Sequence, residues 1–190
     1  MLDLPLGLLI LIIALAIGFG VVNGFNDAAN AIAASVGSRA ISPRSAIILA
    51  AVCNLAGAAT GLEVARTIGK GILVPEAITY PIVIAALASV IIWGSIATRL
   101  GLPVSITHSF VAGLAAAGIA VAGTEPLVWN KMARVGASVV IAPVLGFAGG
   151  FVLMVAILWL FRHYPPDRMR LIFSRLQWLT TAFLAYSHGK

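Results

Sequence analysis

Long apolar runs, most of them close to the length needed to cross a lipid bilayer, dominate this sequence. A membrane-spanning helix needs about 20 predominantly apolar residues. Six candidate runs occur, at residues 4–22, 46–62, 78–100, 104–123, 132–161 and 171–188. The last run is the weakest candidate because it contains Arg175 and Gln177. The runs are too long and too continuous for the alternating pattern of barrel strands. The sequence therefore predicts an all-α, polytopic membrane protein.

The composition excludes the other broad classes. Of the 190 residues, 61% are hydrophobic and 9% are charged, with a mean hydropathy of +1.08. A soluble domain carries about 25% charged residues, and disordered chains are poor in apolar residues. The first apolar run has no basic segment before it, so we interpret it as a retained membrane helix rather than a signal peptide.

Basic residues indicate orientation rather than nucleic-acid binding. The net charge of +6 comes from residues spread over short connections, and such residues orient membrane proteins. The densest segment is residues 162–175, where one acid, Asp167, accompanies four arginines, namely Arg162, Arg168, Arg170 and Arg175. The positive-inside bias makes this segment cytoplasmic. Arg39 and Arg44 flank a second connection. We expect a multi-pass protein of the plasma (cell inner) membrane with no nucleic-acid partner.

Glycines suggest two local features. Gly57 and Gly61 form a small-xxx-small step, which lets membrane helices approach closely. Gly18, Gly20 and Gly24 predict a local break in the first helix. A break would free backbone carbonyl and amide groups, which membrane depth tolerates only beside a cavity or buried protein.

A polar motif, NGFNDAAN at residues 23–30, follows the first apolar run. If this stretch is helical, its three amides and one carboxylate share one stripe of the helix, at Asn23, Asn26, Asp27 and Asn30. Amide and carboxylate oxygens suit hard cations such as Na⁺. The stripe therefore predicts a cation site. Hydrogen bonds between helices, or a helix end at the membrane interface, remain the alternative.

A second motif, GLPVSITHS at residues 101–109, opens the run 104–123. A hydroxyl residue just after proline is typical of a helix N-terminus, whose backbone N–H groups and partial positive charge favour anions. Ser105, Thr107 and Ser109 could add hydroxyl donors. His108 either joins this site or packs as a neutral imidazole. An ordinary capped helix start stays open, and the shortness of the run suggests a candidate re-entrant hairpin.

The remaining polar residues carry weaker signals. Asn54 could support the site from a neighbouring helix or make a structural hydrogen bond. Glu63 and Arg66, three residues apart, would pair with each other or face water. No metal-ligand cluster, phosphate-binding loop or serine elbow is found in the sequence. We therefore expect neither an enzyme nor a nucleotide-driven pump, and transport would draw on an ion gradient.

The motifs together resemble the inorganic phosphate transporter (PiT) family. GFNDAANA at residues 24–31, followed by VGS at 36–38, is similar to the family signature. Further matches follow in family order, with NLAGA at 54–58, Gly61, VARTIGKGI at 64–72 and PVSITH at 103–108. The resemblance runs from about residue 20 to residue 190.

This resemblance implies a secondary transporter that moves phosphate with Na⁺ or H⁺, with no cofactor beyond the transported ions. By motif match, it implies a phosphate-binding set of Asn26, Asp27, Ser105, Thr107, His108 and Ser109. It also implies that Asn26, Asp27 and Asn30 serve the cation. The helical spacing adds Asn23 to this cation-binding set, and Asn54 is a candidate outer support. Ile106 departs from the family pattern, which usually has a hydroxyl residue at that position. One expected donor is therefore missing.

The family has two homologous halves of inverted topology, with broken helices that place the site near midmembrane. The resemblance implies a transmembrane repeat at 1–161, a basic cytoplasmic connection at 162–175 and the start of a second repeat at 176–190. No second Asn-Asp motif follows within these residues. We therefore expect one half of an inverted-repeat transporter, acting as a homo-oligomer or with a complementary second half, because unpaired polar groups in lipid cost several kcal/mol each.

Two other functions fit the same residues. A permease for sulfate or another tetrahedral oxyanion would share the fold, and the sequence discriminates poorly between anions of one geometry. A non-transporting membrane subunit is the second alternative. Cation-coupled phosphate transport is the leading prediction.

Overall fold

The predicted helices are present in a computed structural model, which describes residues 5–61 and 71–190. The helices are α1 (Leu6–Gly37), α2 (Pro43–Thr60), α3 (Tyr80–Arg99), α4 (Ile106–Ala122), α5 (Trp129–Phe161) and α6 (Pro166–Gly189), with a 3-10 turn at Pro75–Ala77. Extended pairing in the described residues is limited to one bridge between Leu73 and Leu127. The all-α prediction is confirmed. The predicted pairing of Glu63 with Arg66, and most of segment 64–72, lie outside the described residues.

Within residues 5–61 and 71–190, four helices are long and apolar enough to cross a membrane, namely α1, α2, α3 and α5. Helix α4 is apolar but has 17 residues, so its length of about 25 Å falls short of a hydrocarbon core about 30 Å thick. Helix α6 begins at Pro166, before the predicted run 171–188, and therefore carries Arg168, Arg170 and Arg175 on a helix. The weakest predicted span is therefore a helix of 24 residues, which is long enough to cross a membrane but is not among the helices that are also apolar enough.

Helix α1 continues without a break through residues 6–37. The break predicted at Gly18, Gly20 and Gly24 is therefore wrong. Each glycine inside a helix costs about 1 kcal/mol relative to alanine, whereas each unpaired backbone group in lipid costs several kcal/mol. Keeping the backbone hydrogen-bonded therefore saves more free energy than the glycines cost, and the helix stays continuous. Helix α5 likewise continues through Pro143.

The chain divides into two compact units. The first contains the described residues of Met1–Asn30 and Leu62–Trp129, and the second contains Ala31–Gly61 and Asn130–Lys190. These units differ from the predicted segments 1–161, 162–175 and 176–190. The predicted segments describe sequence repeats, whereas the units describe which residues pack together, so the repeat boundaries stay a prediction.

Helix α3 packs against α4 in the first unit. Small residues allow the close approach, since a Cβ on Gly113 would lie 2.7 Å from Ser89 Oγ. Leu73 is fully buried over Gly118, where an added Cβ would lie 2.7 Å from Leu73 Cδ2. The segment before the 3-10 turn is held by Val128 N–H, which donates to Ile72 O at 3.0 Å.

Helix α2 packs against α6 in the second unit, with glycines on both sides of the contact. A Cβ on Gly57 would overlap the carbonyl oxygen of Tyr186, and one on Gly189 would overlap the carbonyl oxygen of Asn54. At Gly61 an added Cβ would lie 2.9 Å from Lys190 Cβ. The close approach predicted from the small-xxx-small step is confirmed. Helix α5 has no buried residue.

Candidate functional site

The polar motif at residues 23–30 lies within α1, so its four polar residues share a stripe as predicted. Asn26 is 8% exposed, whereas Asn23 and Asp27 are half-buried and Asn30 is exposed. Asn30 Nδ2 donates to Asn26 Oδ1 over 3.4 Å, a long hydrogen bond one turn apart. The stripe therefore has a buried centre at Asn26.

Two aromatic and aliphatic contacts show which face of α1 meets the rest of the first unit. Phe19 packs against Phe110 of α4 with ring centroids 5.3 Å apart. A Cβ added to Gly94 of α3 would lie 2.7 Å from Val22 Cγ1 and 2.8 Å from Ile106 Cδ1. Val22 and Ile106 therefore meet over Gly94, where α1, α3 and the start of α4 come together.

The contact face and the polar stripe overlap only in part. Successive helical residues rotate by about 100°, which puts Asn26 within about 40° of both Phe19 and Val22. The same arithmetic puts Asn23 about 60° and Asp27 about 100° from Asn26. Asn26 thus faces the α3–α4 packing, and the Asp27 carboxylate lies on the flank of that contact, half-buried.

The turn before α4 is a capped helix N-terminus, as predicted. Ser105 is the N-cap, and its Oγ accepts the backbone N–H of His108 at 3.3 Å. The same Oγ lies 2.7 Å from His108 Nδ1. Ser109 Oγ donates to Ser105 O at 2.8 Å. His108 thus packs on its own helix cap with an exposed side chain.

These bonds determine which donors the turn can offer to an anion. The first N–H groups of a helix have no partner inside it, and the Ser105 side chain satisfies one of them, at His108. Those of Ile106 and Thr107 come earlier in the turn. Thr107 is exposed at the helix start, whereas the Ser109 proton is already given to the Ser105 carbonyl. The turn therefore offers backbone N–H groups and the Thr107 hydroxyl first.

Ile106 explains the departure from the family-like pattern in physical terms. Its side chain is 1% exposed and fills the junction with Val22 and Gly94. A hydroxyl at this position would sit in an apolar contact. Ile106 therefore supplies no hydroxyl donor to the turn, but it packs the turn against α1 through Val22.

Both sequence motifs belong to the first unit, because the polar residues end at Asn30 and the turn precedes α4. Asn54 belongs to the second unit, where it is half-buried and its carbonyl faces Gly189. Its role as outer support for a phosphate site stays a prediction. In residues 5–61 and 71–190, no group of three His, Cys, Asp or Glu side chains could hold a metal ion.

Polar contacts in the second unit were not predicted from the sequence. Ser35 Oγ and Thr181 Oγ1 are 2.5 Å apart, and Ser38 Oγ donates to Gln177 Oε1 at 2.6 Å. Hydroxyl residues inside apolar helices, such as Ser35 in α1, are the signal that could have indicated them, because hydroxyls bond across membrane helices. The partner could not be read from one helix alone.

Comparison with known proteins identifies one family. The family described as the phosphate transporter family matches residues 23–190. A probable low-affinity inorganic phosphate transporter of Streptomyces halstedii is 39% identical over 189 residues, covering 98% of this chain and 88% of that protein. A protein of the same description from Bacillus subtilis is 38% identical, again over 98% of this chain but over 57% of its own length.

A solved structure agrees. It is described as the sodium-dependent phosphate transporter, matches with a TM-score of 0.76 at 27% identity, and is covered over 55% of its length by 95% of this chain. The chain thus spans just over half of two of these proteins. The family and these relatives are described as transporters rather than enzymes, and the four apolar spans found in the described residues agree with a multi-pass membrane protein.

Proposed function

The chain belongs to the phosphate transporter family, and we propose that it contributes to cation-coupled transport of inorganic phosphate across the membrane. The observation that carries this proposal is the meeting of Val22 and Ile106 over Gly94. Each is next to a polar motif, Val22 before Asn23 and Ile106 after Ser105. Two polar segments far apart in sequence are thus attached to one junction inside the apolar first unit.

The anion side of the site is the start of α4. Backbone N–H groups of a first helical turn, together with the helix dipole, attract anions without a formal charge. The Thr107 hydroxyl adds a donor, and the Ser105–His108 cap holds the turn in shape. Asn26, buried beside the α3–α4 packing, is the stripe residue best placed to add an amide donor. Ser109 and His108 would contact phosphate only after exchanging their present bonds.

The cation side of the site is the α1 stripe. Na⁺ prefers oxygen ligands, which the amide oxygens of Asn23, Asn26 and Asn30 and the Asp27 carboxylate supply. A bound cation lowers the electrostatic cost of placing a phosphate near the Asp27 carboxylate, and phosphate favours the cation in return. This coupling free energy is reciprocal by necessity. A proton bound to Asp27 would lower that electrostatic cost in the same way. For either ion, the remaining side of the site would come from a second copy of the chain or from a complementary half.

The test is uptake of labelled phosphate by proteoliposomes that contain the chain, under an imposed Na⁺ or pH gradient. We expect gradient-dependent uptake that Asp27→Asn abolishes. Glu125→Gln is the matched control, because Glu125 is an exposed carboxylate in the connection before α5. Unchanged cation dependence in Asp27→Asn would reject the role given to Asp27.

The same assay separates the rival functions. Sulfate that competes equally with phosphate would indicate a general oxyanion permease. If neither anion is taken up and neither shifts the thermal unfolding temperature, the chain alone is not a transporter, since a bound ligand stabilises the folded state by mass action. Repeating the assay with a complementary half then separates a half-transporter, which gains uptake, from a non-transporting subunit, which does not.

A further inference from the structure

Two basic segments that are far apart in sequence meet in the second unit. One is the turn between α1 and α2, with Arg39 and Arg44, and the other is the connection between α5 and α6 together with the first turns of α6. Ser38 Oγ donates to Gln177 Oε1 at 2.6 Å, and Ser174 Oγ donates to Ala40 O at 3.4 Å. These bonds place the first turn beside the N-terminal half of α6.

The contacts bring six arginines to one end of this unit. The arginine surface is defined here as Arg39, Arg44, Arg162, Arg168, Arg170 and Arg175. All six side chains are exposed. In the residues of the second unit the only acid is Asp167. The surface therefore carries six positive charges against one negative charge and lacks internal neutralisation.

Aromatic residues beside these arginines mark the depth of the membrane interface. Trp159, 66% exposed near the end of apolar α5, lies under the Arg162 guanidinium, whose Cζ is 5.1 Å from the ring centroid. Phe161 packs edge-on against Tyr164 and Phe173, at 5.7 and 5.5 Å. Tryptophan and tyrosine concentrate at headgroup level. The arginines that follow α5 are therefore next to lipid headgroups rather than far out in water.

We propose that the arginine surface binds the phosphodiester headgroups of anionic phospholipids in the cytoplasmic leaflet. Guanidinium groups match phosphate oxygens in a bidentate geometry that a point charge does not reproduce. Basic clusters next to a membrane helix are attracted to anionic lipid, and the positive-inside bias puts this end on the cytoplasmic side. The proposal concerns the second unit and does not depend on the phosphate site of the first.

The test is native mass spectrometry of the purified chain after reconstitution in equal parts phosphatidylglycerol and phosphatidylcholine. We expect preferential retention of phosphatidylglycerol, falling as salt is raised. The triple variant R168Q/R170Q/R175Q and the double variant R39Q/R44Q should each reduce that preference, the triple variant by about 100-fold at low salt.

The matched control is K131Q/R134Q, which removes two exposed charges at the opposite end of α5. At 33 residues, that end is about 50 Å away along the helix. Equal loss of phosphatidylglycerol in the control and in R39Q/R44Q would overturn the proposal. Displacement of the lipid by millimolar inorganic phosphate would also overturn it, because the surface would then collect the free anion.

A lysine variant keeps the test decisive if the glutamine variants misfold. R168K/R170K/R175K preserves the charge and removes the bidentate fork. We expect it to keep salt-sensitive binding with weaker preference for phosphatidylglycerol. Unchanged retention that is insensitive to salt would contradict the proposal.

Discussion

The Ser35 and Thr181 hydroxyls lie 2.5 Å apart although the residues are separated by 146 positions in the chain. Ser35 is 4% exposed and Thr181 is 0% exposed. This hydrogen bond joins the last turns of α1 to α6 beside the small apolar contact of Ala31, Ala50 and Ala185. Because water does not reach these buried hydroxyls, each one satisfies the hydrogen-bonding need of the other.

Removing one of these two hydroxyls should destabilise the fold. We expect Ser35→Ala or Thr181→Val to lower the free energy of unfolding by about 0.5–2 kcal/mol, because one polar group is left buried and unpaired. The double variant should cost less than the sum of the two single changes. Thermal unfolding in detergent measures all three. Ser138→Ala, at an exposed position of α5, is the control, and purely additive losses would contradict the pairing.

Gly57→Ala should be strongly destabilising because the new methyl group would overlap the Tyr186 carbonyl and the Gly189 backbone. A backbone obstacle cannot rotate away, so α2 and α6 must separate. We expect a loss of at least about 2 kcal/mol, the range of overpacked cores. Gly20→Ala is the matched control, since nothing lies within 4 Å of its added Cβ. That change should be neutral or stabilising by up to about 1 kcal/mol, as measured by the same unfolding assay.

Gly94→Ala tests the junction on which the proposed function depends. The added methyl would press on Val22 and Ile106 together, moving the α1 stripe away from the α4 turn. We expect phosphate uptake to fall by about 10- to 100-fold, because a misplacement of about 1 Å can reduce a rate by about 100-fold. The Gly20→Ala protein should retain uptake. If Gly94→Ala folds and transports normally, the two motifs do not act at a shared site.

Ile106→Ser separates the packing role from the anion role at the start of α4. The change supplies the hydroxyl that the family-like pattern has, but it empties a site that is 1% exposed. We expect a loss of about 2–4 kcal/mol in stability, as for other large-to-small core changes. Thr107→Val, at an exposed neighbouring position, should leave stability nearly unchanged and raise the KM for phosphate. A stable Ile106→Ser protein with a lower KM would reverse this assignment.

Much of the site was predictable because it depends on local chemistry. The spacing of Asn23, Asn26, Asp27 and Asn30 already defines one helical stripe, and Ser105 after Pro103 already indicates a helix cap. The predicted break near Gly20 failed because the cost of unpaired backbone groups in lipid is set by the surroundings rather than by the glycine itself. The burial of Asn26 and the flank position of Asp27 required the contacts of Phe19 and Val22.

By itself, the sequence determined an all-helical membrane chain, the approximate extents of most of the described helices, the capped start of α4 and the motifs that mark its family, but not the continuation of α1 from residue 22 to Gly37. These follow from the length of apolar runs and from short-range backbone chemistry. The tertiary structure alone decided that Val22 meets Ile106, that Ser35 finds Thr181 and that Arg39 comes to the same end as Arg175. The physical reason is that helices apolar on nearly every face give no hydrophobic signal for choosing a partner face, since lipid is as apolar as a neighbouring helix. Close packing at glycines and a few buried hydroxyl bonds make that choice.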